Sequence, residues 1–116
     1  MLMPTTEWVA PTEFPDLRSA EEIAIDLETR DPNLKKLGSG AIIGNGEVVG
    51  IAVAVDGYKG YFPIAHGTGK NLPRDQVLSW FKDICESPAT KIFHNAMYDV
   101  CWIRNLGIKI NGLIID

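Results

Sequence analysis

The chain has 116 residues, 46% of them apolar and 22% charged. This suits one ordinary globular domain and excludes the low-hydrophobicity, high-charge composition of a disordered segment. Eleven Lys and Arg against 15 Asp and Glu give a net charge of −4, which excludes a broad basic surface that grips nucleic acid by counterion release but leaves room for cations bridging carboxylates and phosphates.

Residues 1–19 carry Pro4, Pro11 and Pro15 without a sustained period and read as an extended arm, with Trp8 and Phe14 as its anchors. They lack the basic flank and long apolar run of a signal peptide, and no run in the chain reaches the ~18–20 apolar residues of a membrane span. The expected setting is the cytoplasm, with no membrane partner. From Glu22 the run Ile-Ala-Ile-Asp-Leu-Glu alternates with period two, which places Ile23, Ile25 and Leu27 on one face of a first strand and Ala24, Asp26 and Glu28 on the other. Thr29 to Gly46 holds Pro32, Gly38, Gly40, Gly44 and Asn45-Gly46 and reads as a loop.

Strands are predicted over Glu47–Val55 and Tyr58–Pro63, joined at Asp56-Gly57, a strong hairpin signal between apolar runs. Val77, Leu78, Phe81, Ile84 and Cys85 then follow helical spacing, with Asn71 as the expected cap, Pro73 in the first turn and Ser87-Pro88 as the stop. A short strand, Lys91–His94, feeds a second helix that Asn95 should cap and Gly107 should end, and a last strand is expected over Gly112–Asp116. The order predicts an α/β fold: a three-stranded antiparallel meander, then parallel strands with right-handed crossover helices. Cys85 and Cys101 sit in apolar helical patterns and read as buried, reduced thiols.

Asp26 and Glu28 stand out because alternate strand residues lie about 6.5–7 Å apart on one face, within reach of shared divalent ions. Such ions keep neighbouring carboxylates ionised against their mutual repulsion. Read alone, the pair is equally a solvated strand face. A further acid, Asp99, lies four residues after Asn95 in HNAMYD, just after a strand expected to run parallel to the first. Alone it reads as an acid favoured by the helix dipole, but both motifs fall at the carboxyl ends of neighbouring parallel strands, where sites in open α/β sheets form.

IDLET at residues 25–29, the meander, and HNAMYD at residues 94–99 resemble the first two motifs of the 3′–5′ proofreading exonuclease domain of family A DNA polymerases, particularly phage-type ones, in the DEDD exonuclease superfamily. The resemblance covers roughly residues 20–116 and implies a ribonuclease H-like fold. It implies Asp26, Glu28 and Asp99 as the ligands of two divalent cations, Mg²⁺ or Mn²⁺, and as the catalytic acids. Thr29, Asn95 and Tyr98 are implied as contacts to a single-stranded DNA 3′ end. The implied reaction is hydrolysis of the terminal phosphodiester with release of a nucleoside monophosphate.

The family's fourth metal-binding Asp, with a Tyr or His shortly before it, has no match here. Asp116, the sole acid after Asp99, resembles instead an Asp that caps a following helix. The domain is therefore expected to be incomplete at its C-terminus, with little activity on its own, the rest of a polymerase chain as its partner, and self-association through an apolar face left open. Two alternatives stay open: a non-catalytic module that binds a 3′ end or docks to a polymerase, and an RNA exonuclease of the same superfamily. His66 and His94 have no zinc-ligand spacing, the glycines form no phosphate loop, and Arg30, Lys35 and Lys36 read as a solvated loop or as phosphate contacts.

Overall fold

In the computed structural model, which describes residues 11, 13–67 and 69–116, β1 (Glu22–Arg30) alternates as its sequence requires. Ile23, Ile25 and Leu27 are buried while Ala24, Asp26 and Glu28 are exposed. β2 (Glu47–Val55) lies antiparallel to it, with Ala52 opposite Asp26 and Gly50 opposite Glu28. β3 (Tyr58–Pro63) pairs antiparallel with β2, placing Tyr61 opposite Ala52. The hairpin between them turns through Gly57 at φ 83°, a left-handed conformation that costs glycine little.

The segment expected to be a plain loop winds into two single turns, α1 (Leu34–Leu37) and α2 (Gly40–Ile43). At the start of α2 both carboxylate oxygens of Asp31, nine residues back, accept the Gly40 N–H at 3.0 Å, satisfying a donor that a glycine-rich sequence leaves to chance. α3 (Arg74–Glu86), β4 (Thr90–Phe93), α4 (Ala96–Asn105) and β5 (Ile114–Ile115) complete the chain. The sheet order is β3-β2-β1-β4-β5, with β4 parallel to both β1 and β5. This is the predicted architecture, a meander followed by parallel strands with crossover helices.

Two caps differ from expectation. Pro73, not Asn71, occupies the N-cap of α3, because the Asn71 amide is committed to the main chain of His66, accepting its N–H at 2.8 Å and donating to its carbonyl at 3.0 Å. Asn95 does stand at the N-cap of α4, but in the left-handed region at φ 64° and without a capping side-chain hydrogen bond. The last strand is shorter than expected, two exposed isoleucines on the sheet edge.

Val77, Phe81, Ile84 and Cys85 of α3 and Trp102 and Ile103 of α4 join Ile23, Ile25, Ile51, Val53 and Phe62 in one core. Each such side chain contributes roughly 1.5–3 kcal/mol when buried. Phe14 of the arm stacks on Phe62 at 5.9 Å and meets Trp80 at 5.8 Å, and Trp80 donates its indole N–H to the Pro15 carbonyl at 2.7 Å. The arm is thus laid against the body at Phe14, while Trp8 lies outside the described residues. Lys91 is fully buried in β4 and donates to the carbonyls of Ser87 and Asn111, tying the end of α3 to the approach to β5. Cys85 and Cys101 are free thiols, Cys85 buried and Cys101 half-buried, so only the first meets expectation in full. Burial pushes the Cys85 thiol up to about 12.

Candidate active site

β1 pairs with β4 only as far as Ile25 opposite Phe93. Asp26, Leu27 and Glu28 therefore run on past the end of β4, and α4 starts beside them. This brings Asp99 to the carboxyl ends of the two parallel strands, as the sequence suggested.

Asp99 is only 4% exposed, and its Oδ2 is buried without a hydrogen-bond partner. Its carboxyl is pushed up to about 6, first by burial and then by the charge of Asp26; a backbone hydrogen bond from Leu27 and the nearby His94 oppose the shift. An orphaned acid oxygen beside a second carboxylate is an unbalanced arrangement in a protein alone. An oxygen-seeking divalent cation would balance it, so Asp26 and Asp99 fit such an ion.

Glu28 is engaged elsewhere. Tyr61 donates its hydroxyl to Glu28 Oε2 at 2.5 Å, His66 Nε2 lies 2.5 Å from the same hydroxyl, and His66 Nε2 stands 3.6 Å from Glu28 Oε2. Among the described residues no group of three or more His, Cys, Asp or Glu side chains is placed to hold a metal ion. The three acids thus do not form one cluster: Asp26 is near enough for its charge to raise the Asp99 carboxyl, while Glu28 Oε2 is bonded to Tyr61.

The other expected contacts are differently disposed. Thr29 Oγ1 and Tyr98 Oη are 2.8 Å apart, and Tyr98 donates to Asp31 Oδ2 at 2.8 Å. A phenol has one proton, so Thr29 is the donor to Tyr98, and the chain Thr29–Tyr98–Asp31–Gly40 fastens α4 to the turn that holds α2. Asn95 is exposed, and its backbone N–H is accepted by Asp116 Oδ1 at 2.8 Å. Arg30 bonds Glu47 and the Ala65 carbonyl, so it is a structural tie as well as a loop cation, whereas Lys35 and Lys36 are exposed on α1.

Tyr61 and His66 were not among the expected site residues. The signal for Tyr61 lies in its neighbours: Gly50, Ala52 and Ala54 of β2, opposite Glu28, Asp26 and Ala24, are all small on the face that carries the acids. A Cβ on Gly50 would fall 1.8 Å from the Tyr61 hydroxyl, so the ring crosses β2 where a side chain is missing. His66 has no sequence signal of this kind.

The chain is 45% identical over 115 residues to a DNA-directed DNA polymerase of Pseudomonas phage M6. It is homologous to part of a phage DNA polymerase. The match covers 90% of this chain and 17% of that polymerase, so the chain spans about a sixth of its relative's length. This bears out the polymerase relationship that IDLET and HNAMYD implied. Among solved structures, Brucella melitensis NrnC is similar at TM-score 0.47 and 23% identity, and NrnC with bound Mg²⁺ at 0.46 and 22%; each match covers 78% of this chain and 39% of NrnC. Likeness at that level carries no weight for the chemistry. No family model matches the chain. Among the described residues, no helix is long and apolar enough to cross a membrane.

Proposed function

We propose that residues 20–116 belong to the 3′–5′ proofreading exonuclease domain of a DNA polymerase. The observation that carries this reading is Asp99, a buried acid with an unpartnered oxygen beside Asp26, in a chain homologous to a phage polymerase. Asp26, Glu28 and Asp99 would hold divalent cations, Mg²⁺ or Mn²⁺. Such ions, when bound, lower the pKa of water and offset the charge gathering on a phosphodiester. The acids provide the oxygen donors, and no Ser-His-Asp or Cys-His arrangement is required. Asn95, exposed at the mouth of the site, would meet the single-stranded DNA 3′ end. Thr29 and Tyr98, bonded to each other, would shape the floor on which the terminal nucleotide rests.

The test is an exonuclease assay on a 3′-end-labelled oligonucleotide in Mn²⁺, with this chain substituted for the corresponding segment of the phage polymerase it matches. Asp26→Ala and Asp99→Asn should each lower mononucleotide release by more than about 100-fold, since loss of even an outer partner of a metal ligand costs about 10–100-fold. Release indifferent to both substitutions overturns the reading. The 116-residue chain alone should show little release, and single-strand binding that survives EDTA would mark a 3′-end-binding module that does not cut in place of a metal-dependent site.

A further inference from the structure

We infer that Tyr61 and His66 are positioning residues for Glu28: they hold one carboxylate oxygen, across a slot that Gly50 leaves open, so that the other is presented to a divalent cation. The inference rests on the proposed cation site and adds residues to it.

Both contacts fall on the same atom, Glu28 Oε2. The single Tyr61 proton is donated there, so His66 Nε2 must carry the proton that points to the Tyr61 oxygen. The result is a directed relay, His66 N–H to Tyr61 O–H to carboxylate, in which each bond strengthens the next. The relay is itself anchored. Asn71 fixes the main chain of His66 from both sides, and Arg30 donates to the Ala65 carbonyl just before it.

The alternation of three strands makes the arrangement possible. Glu28, Gly50 and Tyr61 share one face of the sheet, and the Tyr61 hydroxyl lies above the Gly50 backbone where a Cβ would stand. A glutamate on an exposed strand face otherwise samples many rotamers, and a ligand fixed in advance loses less entropy when an ion binds. Hydrogen-bonded outer partners of this kind orient ligating carboxylates in metal sites generally. With Glu28 fixed, closing the ligand set falls to Asp26 and Asp99.

Mn²⁺ binding to the 116-residue chain, read from the loss of the free-ion electron paramagnetic resonance signal, tests this together with metal-free melting curves. Tyr61→Phe should weaken Mn²⁺ about 10-fold while the metal-free melting midpoint stays near that of the unaltered chain. Gly50→Ala, which pushes the hydroxyl off Glu28 without deleting it, should weaken binding similarly, and the double variant should be no worse than either alone. His66→Gln, which keeps an N–H donor, should retain more affinity than His66→Ala. Unchanged or tighter binding by Tyr61→Phe overturns the inference, the latter by making the contact a restraint on binding. Asp26→Ala separates the two failures: if it binds Mn²⁺ as the unaltered chain does, the cation site itself is wrong, whereas if it alone loses affinity, only the positioning role is wrong.

Discussion

The two faces of β1 are opposites made from one alternating strand. On one side Ile23, Ile25 and Leu27 lie in a core closed by α3 and α4. On the other, Ala24 and Asp26 border a groove of about 630 Å³ with Ala52, Ala54, Tyr61, Ile92 and His94, and no helix of the described residues covers it. Large branched side chains meet across the covered face, whereas small residues and acids share the open one. Stability and chemistry are thus separated by the thickness of a single strand, and the pleat that separates them is a property of any β-strand. Substitutions on the two faces should therefore behave differently.

The largest difference should come from truncating the covered face. Phe81 is fully buried, and Phe81→Ala should lower the unfolding free energy by about 3–5 kcal/mol, through lost burial and the cavity left behind. Denaturant unfolding that shows less than about 1 kcal/mol of loss would mean that α3 does not close the core as described.

Asp99 sits at the junction of the two faces and should respond in the opposite direction. In the fold its carboxyl is pushed from 3.8 up to about 6, so the ionised form is the one the fold disfavours. Below about pH 3.8 the group is protonated in both folded and unfolded chains and exacts nothing. As the pH rises from there through about 6, the unfolded chain ionises first and stability falls. In metal-free solution Asp99→Asn should therefore be more stable than the unaltered chain near neutral pH, by up to about 3 kcal/mol, and equal to it below about pH 4. Melting curves across that range check the sign, and a difference independent of pH would remove Asp99 from its buried setting.

The smallest effect should come from the open face. Ala54 is half-buried and faces no helix, and Ala54→Ser should change stability by no more than about 0.5 kcal/mol. A loss as large as a core truncation would show that the groove is filled in solution.

The strands were legible because their signals are local. Alternation in Ile-Ala-Ile-Asp-Leu-Glu, the Asp56-Gly57 turn and the helical spacing of Val77, Phe81 and Ile84 each need only neighbours in sequence, and all three hold in the structure. The caps read less well because distant partners and backbone conformation intervene: the Asn71 side chain bonds the His66 main chain, and Asn95, whose N–H donates to Asp116 Oδ1, is held in the left-handed region. The turn α2 was missed for a similar reason, since a carboxylate nine positions back takes its first N–H.

For the site, the sequence by itself determined which acids share a strand face and that a third acid lies one turn into a helix after a neighbouring parallel strand. Those facts follow from the periods of strand and helix, and homology to a phage polymerase agrees with them. Only the tertiary structure decided where each carboxylate goes: Asp99 into a buried place beside Asp26, and Glu28 to a tyrosine 33 residues away across a glycine gap. The physical reason is that a period fixes the side of a strand on which a residue lies, whereas the partner of its charged end depends on sheet register and on which neighbour leaves room.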